Sequence, residues 1–224
     1  MGNVTKSQQN NITSPNGNSL AVFVEGISGI MKVKDVMGNI QPLSDFIPTI
    51  VVLSGNYGLY AQTSLGNIIV PASGEASLIG AGVGTLSVPA NSFKVGDSFT
   101  AKICGYLTCA NNEDIHIRVK SDGNTIADAG VFRLNIATNK YFEIAIDFTI
   151  TKIGGLGFAE LFTNGQFSYN RNASNNIDGV NFALVDSTNF DTTVTNSLSI
   201  TAEWITSNVV NKIQSQNFVL TKVY

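Results

Sequence analysis

The stretch Tyr141-Phe142-Glu143-Ile144-Ala145-Ile146-Asp147-Phe148-Thr149-Ile150 decides the class of fold. Large apolar side chains stand at every second position, from Phe142 to Ile150, and mostly polar ones stand between them. Successive side chains of a β-strand point to opposite faces. The alternation therefore predicts a strand with one buried face and one face in water.

Weaker alternation recurs from about residue 65 onward, and Gly, Asn and Asp separate the runs. In residues 98–109 the predicted core face is Phe99, Ala101, Ile103, Gly105 and Leu107. In residues 197–206 it is Leu198, Ile200, Ala202 and Trp204. Many antiparallel strands without helical crossovers predict two packed sheets. The expected fold class is all-β, an antiparallel jelly-roll β-sandwich.

The chain divides into three segments that differ in amino-acid composition and pattern. Residues 1–18 are polar and rich in Asn, so they predict a flexible polar arm. Residues 19–63 hold short strand candidates interrupted by Pro42 and Pro48, and predict a β-rich N-terminal segment used in assembly or attachment. Residues 64–224 form the predicted jelly-roll domain.

Charge and hydropathy exclude two classes of partner. Charged residues make up 13% of the chain, against roughly 25% in an average globular protein. The net charge is −3, with Lys and Arg scattered, which argues against a nucleic-acid surface. The sequence also lacks the run of about 18 apolar residues that a membrane-spanning helix requires.

The spacing of Cys104 and Cys109 indicates whether the protein folds in a reducing or an oxidising compartment. They are five residues apart in a predicted strand, so their side chains should point to opposite faces, about 17 Å apart along the chain. That geometry does not allow a disulfide, and the spacing does not suit zinc. We therefore expect two reduced packing residues and folding inside a cell.

No combination of residues in the sequence predicts catalysis. The single histidine, His116, alternates with charged residues on a predicted solvent face and has no nucleophile motif beside it. Glu143 and Asp147 should lie about 13 Å apart on one face, farther than a glycosidase pair. We expect no catalytic residue, no cofactor and no metal site. A carbohydrate-active enzyme stays open as the weaker alternative, because a fold can bring distant carboxylates together.

A surface recognition loop is expected near residue 170. Its candidate residues are Tyr169, Asn170, Arg171, Asn172, Asn175, Asn176 and Asp178. Asp178 is the only carboxylate of residues 170–179, so a solvated loop is favoured over a calcium site. The aromatic residues expected in the core are Phe142, Phe148, Phe158 and Phe162, and those expected to face outward are Tyr106, Tyr141 and Tyr169.

Residues 85–105 carry the most specific pattern, a strand, the turn Pro89-Ala90-Asn91 followed by Val95-Gly96-Asp97, and a second strand. This pattern resembles segments of jelly-roll domains in fibre, tail and minor capsid proteins of tailed phages and large DNA viruses. Residues 117–130, 190–204 and 218–224 look similar to later strands of the same kind. The likeness covers about residues 65–224 and carries over no functional residues.

The resemblance implies a viral structural protein: a minor capsid, capsid-decorating or fibre-head component. It implies a homotrimer that contacts other capsid or virion proteins and is assembled into the virion in the host cytoplasm. The alternative is a jelly-roll module that binds a host glycan or receptor through loops such as 170–179.

Overall fold

The computed structural model describes residues 21–24, 31–35, 37–42, 57–172, 176–184 and 190–224. The chain divides into two units, Met1–Ser54 and Gly55–Tyr224. The predicted arm of residues 1–18 lies outside the described residues. Within the described ranges, no helix is long and apolar enough to cross a bilayer.

The first unit contains a three-stranded antiparallel sheet in the order β1-β2-β3. Its strands are β1 (Ala21–Val24), β2 (Met31–Lys34) and β3 (Ile40–Pro42). The turn between β2 and β3 is held by the carboxylate of Asp35, which accepts hydrogen bonds from the backbone N–H groups of Met37 (2.9 Å) and Asn39 (2.8 Å). This is the short β-rich N-terminal segment that the sequence predicts.

The second unit contains the strands of the sandwich and one 3₁₀ turn, Pro71–Ser73. In chain order the strands are β4 (Tyr57–Gln62), β5 (Ala76–Ser77), β6 (Gly82–Gly84), β7 (Ser87–Val88), β8 (Ser98–Cys109), β9 (Glu113–Ser121), β10 (Asn124–Leu134), β11 (Ala137–Lys152), β12 (Glu160–Asn170), β13 (Ile177–Leu184), β14 (Asn196–Trp204) and β15 (Lys212–Lys222).

These strands form two antiparallel sheets. The larger sheet has the order β13-β12-β11-β8-β15-β4-β6, and the smaller has β10-β9-β14-β5, with β7 also pairing with β14. Strand β8 pairs with β15 in the larger sheet, β9 pairs with β14 in the smaller, and β11 pairs with β12. The chain is thus wound as nested antiparallel pairs, and the predicted jelly-roll β-sandwich is confirmed.

The core lies between the sheets and uses the faces that alternation predicts. On β11, Phe142 and Ile144 are fully buried, and each side chain of this kind contributes roughly 1.5–3 kcal/mol by leaving water. The predicted inner faces of β8 and β14 are buried as well. Trp204, the largest of them, donates from Nε1 to the carbonyl oxygen of Ile69 (3.0 Å).

Two expectations need correction. The sequence placed residues 57–62 in the N-terminal segment, but they form β4 of the larger sheet, where Tyr60 packs on Phe218 with ring centroids 5.9 Å apart. The boundary therefore precedes β4, between Ser54 and Gly55, and not residue 64. Phe158 and Phe162, expected in the core, are exposed. Phe158 lies outside the strands, and on β12 the inward positions are those of Leu161 and Thr163.

The two cysteines lie on opposite sides of β8, as their spacing predicts. Cys104 is half-buried, whereas Cys109 is buried and its thiol donates to the carbonyl oxygen of Asn135 (3.3 Å). Burial raises the pKa of the Cys109 thiol to about 11. Its reactive thiolate form is therefore scarce at neutral pH.

Candidate functional site

The predicted recognition loop is largely bonded to its own protein. Tyr169 is only 1% exposed, and its hydroxyl accepts a hydrogen bond from the backbone N–H of Asn135 (2.7 Å). The carboxylate of Asp178 accepts from the Asn135 side chain (2.9 Å). The Asn172 side chain bonds to both the backbone N–H and the hydroxyl of Thr138. These side chains fix two neighbouring loops together.

The other loop candidates differ in exposure. Asn170 and Arg171 are half-buried, and Asn176 is exposed and accepts at its carbonyl oxygen from the Arg171 backbone N–H (3.0 Å). Asn175 lies outside the described residues. The expectation that Tyr169 is a surface residue is wrong, because its ring stacks on Phe167 between the sheets.

A different site lies on the outer face of the larger sheet. Strands β11, β12 and β13 surround a groove there, with a volume of about 290 Å³. Its lining residues are Ala145, Asp147, Asn164, Gly165, Gln166 and Asn181. We call this the sheet groove.

Strand register brings the sheet groove together. Ala145 pairs with Gln166, and Gln166 pairs in turn with Asn181. Two residues further along β11, Asp147 pairs with Asn164. Paired residues of adjacent strands point to the same face, so residues about 20 and 35 positions apart in the chain meet on one surface.

Two small residues, Ala145 and Gly165, lie at the groove and have separate roles. Ala145 offers only a methyl group at the floor. Gly165 makes room on the inner side of the sheet: a Cβ there would come within 2.2 Å of the ring of Phe182. Phe182 thus packs beneath the groove because residue 165 has no side chain.

The polar side chains of the groove have few protein partners. Asp147 accepts one hydrogen bond at Oδ1, from the hydroxyl of Thr100 (2.7 Å). Within the part of the chain that the structure describes, the side-chain amides of Asn164, Gln166 and Asn181 make no hydrogen bond. Each amide has two donor hydrogens and an acceptor oxygen. The groove therefore presents several donors and acceptors to a bound molecule.

Aromatic side chains lie on either side of the groove along the strands. Phe162 is 42% exposed and lies two residues from Asn164 on the same face of β12, about 7 Å away. In the other direction Tyr141 and Tyr106 form a cross-strand pair, each 40% exposed. These two tyrosines face outward as the sequence predicts.

The Glu143 carboxylate connects this tyrosine pair to the groove. It accepts from Lys102 (3.0 Å) and from the hydroxyl of Tyr141 (2.8 Å). Burial alone would raise the pKa of Glu143, but these two hydrogen bonds lower it overall. Burial and the bond to Glu143 raise the pKa of Tyr141, which stays a protonated donor. Lys102 is therefore already paired with the Glu143 carboxylate.

The outer face of the smaller sheet is different. Arg118 donates to Glu203 (2.8 Å) and also pairs with Glu75 (3.1 Å). His116 accepts from Arg118 at Nδ1 (2.6 Å) and donates from Nε2 to Asp128. His116 is thus a structural member of an ion-pair network, on the face where its alternation with charged residues placed it.

A concavity of about 90 Å³ beside Tyr106 is smaller than the sheet groove, and two of its polar side chains, Thr108 and Gln214, are already bonded to backbone groups. Two further concavities carry fewer polar groups. A cavity of about 60 Å³ lies between the sheets, among core residues such as Phe93 and Phe190. A cleft of about 450 Å³ is lined by Val70, Pro71, Ala72, Ser207 and Val209. A binding site normally combines an apolar surface with a few polar groups that fix the ligand. The sheet groove with Phe162 matches that description best.

The side chains that line the groove suit the binding of hydroxyl groups. Among the described residues, no group of three or more His, Cys, Asp or Glu could hold a metal ion. Asp147 is the only carboxylate among the residues that line the groove. Hydrolysis of a glycosidic bond by the common mechanism requires two carboxylates, and one carboxylate with three amides can bind hydroxyl groups.

No known protein family matches the sequence, and no curated protein matches it. Among solved structures, the chain is similar to arcelin-5, a lectin-like defense protein from Phaseolus vulgaris, with 8% identity over 75% of this chain and 97% of that one, and a TM-score of 0.38. It is also similar to the CBM2 module of the evolved Dit of Lactobacillus casei BL23 phage J-1, with 9% identity over 75% and 96%, and a TM-score of 0.34. Likenesses this distant assign no function.

Proposed function

We propose that the protein is a virion structural component whose jelly-roll sandwich binds carbohydrate at the sheet groove. The observation that carries the binding role is the cluster of side-chain amides without hydrogen-bond partners in the described structure, around a floor made by Ala145. Sugars present many hydroxyl groups that both donate and accept. The exposed ring of Phe162 adds an apolar surface for the C–H face of a sugar ring.

The proposal places binding, and no reaction, at this site. Asp147 has no second carboxylate beside it among the groove-lining residues. A glycosidase of either stereochemical type would require one within about 5 to 10 Å. The non-enzymatic role therefore agrees with the composition of the groove.

A blocked groove tests the binding role. Ala145→Trp fills the floor of the groove with an indole ring, and Ala61→Trp is the matched control. Ala61 is exposed and lies in the same cross-strand row, through Val219 and Lys102, so it shares the outer face of Ala145. On a glycan array, we expect wild type and Ala61→Trp to bind the same glycans and Ala145→Trp to bind none. Equal binding by all three would place the site elsewhere.

Self-association is supported by the end of the sandwich that carries residues 94–97, 150–159 and 190–195. There the backbone N–H of Thr192 donates to the carbonyl oxygen of Gly154 (2.9 Å), and the backbone N–H of Gly154 donates to the hydroxyl of Thr192 (2.9 Å). The exposed large apolar residues at this end are Val95, Ile153, Leu156, Phe158 and Val194. An apolar cluster of this kind, with an aromatic residue 69% exposed at position 158, suits contact with further copies of the chain.

The assembly proposed for this surface is a homotrimer in the virion, as a fibre head, a capsid-decorating protein or a minor capsid protein. Light scattering should give three times the monomer mass of 23.8 kDa. Leu156→Ser with Phe158→Ser should give monomers, whereas Ile205→Ser with Val209→Ser, at the opposite end, should stay trimeric. Mass spectrometry of purified particles should detect the chain. A wild-type monomer would contradict the trimer, and absence from particles would contradict the virion role.

A further inference from the structure

We infer that the sheet groove selects neutral sugars over acidic ones and binds them without a metal ion. The inference rests on the proposed carbohydrate-binding function and names its class of ligand. It follows from the charges that surround the groove and from the side chains that line it.

The groove carries a negative charge and no positive one. Asp147 is the single charged residue of the lining. The nearby cation on the same cross-strand row is Lys102, which pairs with Ala145 across β8 and β11. Its ammonium group is already held 3.0 Å from Glu143. Together the three charged groups carry a net charge of −1, which an acidic sugar would meet on entering.

The magnitude of that repulsion is large enough to measure. Two like charges at about 4 Å repel with an energy equivalent to about a fivefold loss of affinity in water, and more in a partly desolvated groove. Recruiting Lys102 to an acidic sugar would break its pairing with Glu143. A neutral sugar is not repelled by the negative charge and leaves the pair of Lys102 and Glu143 intact.

The lining also argues against a bound cation. Calcium takes six to eight oxygen ligands, usually including several carboxylates. The groove offers one carboxylate and three amide oxygens, from Asn164, Gln166 and Asn181. A calcium-bridged sugar would therefore lack the negative charge that holds calcium. Direct hydrogen bonding to the sugar is the mode that these side chains support.

The dimensions fit a small neutral unit. The volume of about 290 Å³ lies near the lower end of the range of small-molecule sites, about 300 to 1,000 Å³. Thr100 fixes Asp147 through Oδ1, so Oδ2 is the oxygen left to accept a sugar hydroxyl. The amides supply donors on the other sides, and Phe162 supplies the apolar surface beside them.

The test compares a neutral sugar with an acidic counterpart in each of two pairs, and in the second pair the two members differ mainly in charge. Calorimetric titrations use N-acetyllactosamine and its sialylated form, and a cello-oligosaccharide and its uronic-acid counterpart, each with and without EDTA. We expect the neutral member of a pair to bind at least about fivefold more tightly, with no change in EDTA. Asp147→Asn should reduce this preference, and Asp147→Lys should reverse it. Ala61→Lys, on the same face but outside the groove, should leave it unchanged.

The outcomes separate the two proposals. Equal or tighter binding of the acidic member by the wild type, or loss of binding in EDTA, would overturn the neutral-sugar inference and leave carbohydrate binding standing. Failure to bind any member of the panel, together with an empty glycan array, would overturn both. Asp147 lies on an outer sheet face and Asn matches its shape, so circular dichroism of Asp147→Asn should equal that of the wild type.

Discussion

The outer faces of the two sheets are both polar, but their polar groups are used differently. On the smaller sheet, Arg118 joins Glu75, Glu203 and Asp128 in a network of ion pairs. On the larger sheet, the amides that line the sheet groove have no hydrogen-bond partner among the described residues. Polar groups that satisfy one another contribute to the fold. Polar groups that lack partners are available to a ligand, so the second face is the one to test for binding.

The electrostatics of the smaller face support this division. Burial alone would lower the pKa of Arg118, but the hydrogen bond that it donates to Glu203 and the charges of Glu75 and Asp128 raise this pKa overall. Burial alone would raise the pKa of Glu75, but hydrogen bonds from Lys120 and Thr201 and the charge of Arg118 lower it overall. Each charged group thus stabilises the ionised form of its neighbours.

The largest expected effect is on the smaller face. Arg118→Ala removes the shared partner of three carboxylates, and we expect the free energy of unfolding to fall by about 2 kcal/mol. Sugar binding should not change, because the groove lies on the other sheet. Urea denaturation and calorimetric titration measure the two quantities. Arg133→Ala is the control: its pair with Asp114 is on the surface, so we expect a much smaller loss of stability than for Arg118→Ala.

On the larger face we expect the reverse, a loss of sugar affinity without a loss of stability. Asn164→Ala with Gln166→Ala should lower sugar affinity about 30-fold, from the loss of two hydrogen bonds of about 1 kcal/mol each. The unfolding free energy should stay within about 0.5 kcal/mol of wild type. Gln216→Ala with Asn217→Ala changes the same residue types at exposed positions of β15 and should leave affinity unchanged. A large loss of stability in the groove variant would show that its amides serve the fold.

The sequence predicted the sandwich better than the site, for a physical reason. Alternation is a local property, so the buried face of β11 and the outward positions of Ala145 and Asp147 follow from the sequence alone. The pairing of β11 with β12 is not local. Thr163 and Gly165 are inward but small or polar, so the alternation of β12 is weak and Phe162 was placed on the wrong face. The ring of Phe182, from the next strand, fills the space at Gly165.

The internal bonding of the predicted loop could not be seen in the sequence for a related reason. A segment rich in Asn is typical of a solvated loop, but an amide can also bond to a distant part of its own chain. Asn172 does so with Thr138, 34 residues earlier. The ring of Tyr169 is likewise buried by residues from other strands, including Phe132. Neither contact leaves a signal in the residues 169–178 themselves.

A smaller effect is expected from pH, again on the smaller face. The pKa of Glu75 is lower in the folded protein than its ordinary value of 4.5. Its stabilising contribution is therefore complete above the unfolded value and is lost as the pH falls through the folded one. When the pH drops below about 4.5, we expect the free energy of unfolding from urea denaturation to fall, by about 1 kcal/mol or less for this group. The difference between wild type and Glu75→Gln should shrink over the same range. If the difference stayed constant, Glu75 would not contribute to the loss of stability at low pH.

The smallest expected effect is on the larger face, at Thr100. Its hydroxyl donates to Asp147, which makes Asp147 the one groove side chain with a protein partner among the residues described. Thr100→Val keeps the shape and removes the donor, so Asp147 loses orientation while the strand keeps its packing. Affinity for a neutral sugar should fall about threefold, a fraction of the roughly 1 kcal/mol of one hydrogen bond, as calorimetric titration can resolve. Thr221→Val is the control, since Thr221 pairs with Thr100 on the same face but does not line the groove. If Thr100→Val instead left affinity unchanged and lowered stability, the bond to Asp147 would belong to the fold, and the larger face would resemble the smaller one more than its unbonded amides indicate.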